Sequence, residues 1–133
     1  MISSYSDLIQ ASYSQQEPQR LLFVFCRAEL PDEASPEEKA AFERGEGGTL
    51  TPVVCVDKTP DEAPDFATLH EESRATGQSW DVVFVAAMSG RGGTPPSTDE
   101  AQQPLTMMVE SIRLGHINNY LPLDTQGNAV SLG

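Results

Sequence analysis

The stretch that most constrains this chain runs from Asp81 to Ser97. Val82 to Met88 is an unbroken apolar run. A run apolar on both faces, and far too short for a membrane helix, reads as a strand covered from both sides. Gly90, Gly92 and Gly93 then surround Arg91, and Pro95-Pro96 leads into the acidic helix start Ser97-Thr98-Asp99-Glu100. The sequence therefore predicts a buried central strand, Trp80 to Met88, that delivers a glycine-rich loop at its carboxyl end.

Helices and strands alternate around it. Ser3 or Ser4 caps a first helix whose stripe is Tyr5, Leu8, Ile9 and Ser12. Leu21–Cys26 is a second doubly apolar strand. Ser35-Pro36-Glu37-Glu38 opens a helix, with serine at the cap, proline at the first helical position and acids in the first turn. Gly45, Gly47 and Gly48 end it. Leu50 to Val56 is the next strand, and Asp61–Asp65 opens a helix carrying Phe66, Leu69, His70 and Ser73, stopped by Gly77. The helix after the glycine loop carries Leu105, Met108, Val109 and Ile112, with Pro104 delaying its regular part. Two short apolar runs, Ile117–Asp124 and Ala129–Leu132, flank the turn residues Thr125–Asn128 and read as a β-hairpin. Strands alternating with helices predict right-handed crossovers. The expected fold is a single α/β domain over residues 1–133. It has three layers: a mainly parallel sheet of three core strands, helices on both faces, and the C-terminal β-hairpin at the edge.

Charge narrows the partners. The 133 residues carry 20 acidic and 8 basic side chains, a formal net charge of -12. That charge repels nucleic acid and anionic lipid, so no nucleic acid and no membrane partner is expected. The first residues lack both a basic region and a long apolar run, which predicts a cytoplasmic protein. Cys26 and Cys55 both lie in apolar runs and read as reduced core thiols. His70 and His116 are too few for a metal cluster, so no metal and no cofactor is expected. Ser89 follows a strand, but Ala87 and Arg91 stand where a nucleophile elbow needs glycine. No catalytic residue is assigned.

Ligands of open α/β sheets bind at the carboxyl ends of the strands. In a parallel sheet the three strand exits share one rim, which gathers Arg27, Lys58 and Arg91. The N–H groups of Gly90, Gly92 and Gly93, beside Ser89, could then cradle a phosphate or carboxylate, with the following helix aimed at it. The reading is a non-catalytic binding or adaptor domain with a small anionic ligand at that rim. The alternative is an enzyme or sensor acting on a small anionic metabolite. The hairpin leaves a sheet edge beside Val130 and Leu132, which predicts a homodimer covering it.

The strings Pro18-Gln19-Arg20-Leu21-Leu22-Phe23-Val24-Phe25, Gly47-Gly48-Thr49-Leu50-Thr51-Pro52-Val53-Val54-Cys55-Val56-Asp57-Lys58 and Val83-Phe84-Val85-Ala86-Ala87-Met88-Ser89-Gly90-Arg91-Gly92-Gly93 resemble a family of small bacterial proteins. Some of its members carry the label "ribonucleotide reductase subunit alpha". The resemblance implies a bacterial, cytoplasmic protein. A reductase alpha subunit resembles a much longer barrel with a radical cysteine, a redox cysteine pair and further cysteines at its tail. This chain has two cysteines, neither near its C-terminus, so the resemblance carries no catalytic residue over.

Overall fold

The computed structural model describes residues 2–30, 33–44 and 48–131. Four helices and four strands alternate along these residues. They are α1 (Tyr5–Tyr13), β1 (Gln19–Glu29), α2 (Pro36–Glu43), β2 (Thr49–Lys58), α3 (Phe66–Ala75), β3 (Val82–Ser89), α4 (Thr98–Arg113) and β4 (Leu121–Leu123). The strands form one sheet in the order β2-β1-β3-β4, and each neighbouring pair is antiparallel.

The expected mainly parallel, three-strand sheet is thus overturned. The reason lies in α2. A helix that returns a chain along a sheet face must bury an apolar stripe, and Pro-Glu-Glu-Lys-Ala-Ala-Phe-Glu has none; α2 contains no buried residue. Its Phe42 ring instead packs beside Gly48 and the Glu29 carbonyl, where β1 ends and β2 begins. β2 therefore comes back alongside β1 instead of crossing over. α3 does carry a stripe, with Leu69 and Ser73 buried. It joins β2 to β3, which run in the same direction with β1 between them.

β1 is hydrogen-bonded on both sides and covered on both faces. Leu21, Phe23 and Phe25 face one cluster with Tyr5, Leu8 and Ile9 of α1 and Leu69 of α3. Leu22, Val24 and Cys26 face the other with Ala101, Leu105, Met108 and Ile112 of α4. This double covering explains why β1 reads as a continuous apolar run although it is antiparallel. Trp80 precedes β3 and belongs to the first cluster; its indole N–H donates to Ser73 Oγ at 2.9 Å.

Local signals explain the helix starts. Ser35 and Ser97 each form a capping box with Glu38 and Glu100, and Asp65 caps α3 through the Thr68 N–H. α4 begins at Thr98 and runs through Pro104, so the proline does not delay it. The expected stops at Gly45 and Gly47 lie outside the described residues.

The C-terminal hairpin is reduced to a three-residue strand, β4, on β3. A turn closed by Asp124 then leads to an isolated bridge between Leu123 and Ala129. The N–H of Ala129 donates to the Ser3 carbonyl, and Ser4 bridges Asn128. The start of α1 thus covers this side of the sheet. Leu132 lies outside the described residues. Among the described residues, β2 at the other side of the sheet pairs only with β1.

Candidate functional site

Because β1 and β3 are antiparallel, the expected rim of three strand exits does not form. Gln19 pairs with Ser89 and Leu21 with Lys58, so the exits of β2 and β3 flank the start of β1. Arg27 lies at the opposite end, where it donates to the Ser79 carbonyl and to Gln78 Oε1. Lys58 is at the near end but on the α3 side of the sheet, 2.9 Å from Glu72. Only Ser89, Gly90, Arg91, Gly92 and Gly93 stay together, as chain neighbours.

Local geometry accounts for the glycines of this loop. Arg91 and Thr94 exchange two backbone hydrogen bonds, at 2.9 and 3.0 Å. The two residues between them, Gly92 and Gly93, have φ of 60° and 83°. Positive φ at both central positions is the type I′ turn, which residues with a Cβ seldom adopt. A Cβ on Gly90 would stand 2.0 Å from the Thr94 carbonyl oxygen. The loop's donors are also largely taken. The Gly90 N–H bonds the Pro18 carbonyl and the Gly93 N–H bonds Glu17 Oε1, both at 2.8 Å. Ser89 Oγ accepts from Gln19. Arg91 is exposed at the tip, and its charge is one of the influences that lower the carboxyl pKa of Glu100, after the hydrogen bonds from Ser97.

The cation that does organise this end is Arg20, which the sequence reading passed over. Its Nε donates to the Pro96 carbonyl and its Nη1 to Asp57 Oδ2, both at 2.6 Å. Thr98 Oγ1 donates to the same Asp57 oxygen at 3.0 Å. The Arg20 and Asp57 side chains are only 12% and 11% exposed. This cluster ties β1, β2 and the start of α4 together. The signal available was a lone arginine at the head of a buried strand.

β2 presents a different kind of surface. Three bonds fix how the backbone groups of β1 are directed. Toward the β3 side, the Gly90 N–H meets the Pro18 carbonyl, the Asp81 N–H meets the Cys26 carbonyl, and the Ala28 N–H meets the Asp81 carboxylate. Since these directions alternate along a strand, Leu21, Phe23 and Phe25 turn theirs toward β2. Their partners Lys58, Val56 and Val54 turn toward β1. Cys55 and Asp57 therefore turn their N–H and C=O groups outward, away from the sheet. The register shifts between Phe25 and Cys26, and beyond the shift Pro52 occupies an outward position. A missing N–H there removes no sheet hydrogen bond.

The side chains of this edge are mostly half-buried, with Thr49 and Cys55 exposed. Cys55 is exposed, which corrects its reading as a core thiol. Cys26 is buried, and burial pushes its thiol up to about 12. Val54 and Val56 line a cleft against α3 together with Phe25, Leu69, Glu72, Ser73 and Thr76. Glu62, on the loop after β2, is held below the usual carboxylate range, chiefly by the Thr59 N–H. Among the described residues, no group of three or more histidine, cysteine or acidic side chains could hold a metal ion. No described helix is long and apolar enough to cross a membrane. No protein-family model, curated protein or solved structure matches the chain.

Proposed function

We propose that this chain is a non-catalytic binding domain that takes up an extended segment of another protein as an additional strand on β2. The observation that carries this reading is the outward pair of backbone positions, Cys55 and Asp57, on an edge that pairs with no second strand among the described residues, beside the cleft lined by Val54, Val56, Phe25 and Leu69. Unpaired strand edges are templates for strand addition. In that mode main-chain hydrogen bonds supply affinity, and pockets for alternate side chains supply selectivity. The opposite side of the sheet is occupied by residues 3, 4 and 128–130, which directs the reading to β2.

The test is a matched pair of variants. Cys55→Pro removes the outward N–H without touching the bonds to β1, and Cys55→Ser keeps it. Short synthetic peptides that alternate valine with a polar residue serve as probes, followed by fluorescence anisotropy and amide hydrogen exchange. Binding should slow exchange at Cys55 and Asp57 in the unsubstituted protein and in Cys55→Ser, and be lost in Cys55→Pro. Binding that survives in Cys55→Pro overturns the assignment to this edge.

A small anionic ligand remains a second reading, and it now rests on Arg91 at the exposed tip of the glycine turn. Arg91→Ala should leave stability within about 0.5 kcal/mol, as at ordinary surface sites. If the tip binds anions, inorganic phosphate raises the melting temperature of the unsubstituted protein but not of the variant. A phosphate response equal in both, or absent from both, removes this reading.

A further inference from the structure

We draw no further inference here: the strongest candidate, the outer face of α4 on which Met107 and Leu114 stand exposed, carries none, because nothing in the structure shows what covers it.

Discussion

Asp57→Ala should lower the unfolding free energy by about 3 kcal/mol, the low end of the cost of removing one partner from a buried ion pair, because this pair is part-buried. The Asp57 carboxylate accepts from Arg20 Nη1 at 2.6 Å and from Thr98 Oγ1 at 3.0 Å. Without it the guanidinium keeps, among the described residues, only the Pro96 carbonyl as a near hydrogen-bond partner, and Glu62 stands at 3.9 Å. A charge that is 12% exposed cannot recover its hydration, and that loss dominates the cost. The double variant Arg20→Met, Asp57→Leu should recover most of the stability, because no buried charge is then left without its partner. Urea unfolding of the single and double variants measures both. A loss below about 1 kcal/mol in Asp57→Ala would class the pair with ordinary surface ion pairs and remove its role as the tie between β1, β2 and α4.

The second large effect is at Trp80. Trp80→Ala should cost about 3–5 kcal/mol, as for other large aromatic truncations in a core. The indole is 8% exposed and meets Phe25 edge-on, with ring centroids 5.0 Å apart, and Phe66 at 6.3 Å. Its N–H donates to Ser73 Oγ, whose own proton goes to the His70 carbonyl. These contacts hold α3 against β1, and Leu69 and Phe25 of these two elements line the cleft beside β2. Trp80→Phe should be milder, since it keeps an aromatic ring and loses mainly the hydrogen bond, worth about 1 kcal/mol net. Trp80 is the only tryptophan, so unfolding of these variants is followed by far-ultraviolet circular dichroism. A loss under about 1 kcal/mol in Trp80→Ala would show that α3 is held by other contacts.

The local elements were legible because short-range chemistry sets them. Ser35-Pro36-Glu37-Glu38 and Ser97-Thr98-Asp99-Glu100 form caps wherever they stand, since the hydroxyl and carboxylate bond backbone groups three residues away. The stripe Tyr5, Leu8, Ile9 and Ser12 is the buried face of α1, because a helix brings those positions to one side. The runs in β1 and at the start of β3 are buried as their composition requires.

What the sequence alone determined, then, was where helices and strands lie and which faces are apolar. Strand direction was decided only in three dimensions. A doubly apolar strand is equally suited to a parallel neighbour and to an antiparallel one covered by helices on both faces, as β1 is. The deciding feature was negative, the absence of an apolar stripe on α2, which leaves that helix unable to carry β2 back across the sheet. Reversing β2 and β3 relative to β1 moved Arg27 to the far end and brought Arg20 and Asp57 together from 37 positions apart. It also left β2 at the edge, with Cys55 and its backbone groups turned to solvent. Side-chain periodicity is the same for an edge strand and an inner one; only the presence or absence of a neighbouring strand tells them apart.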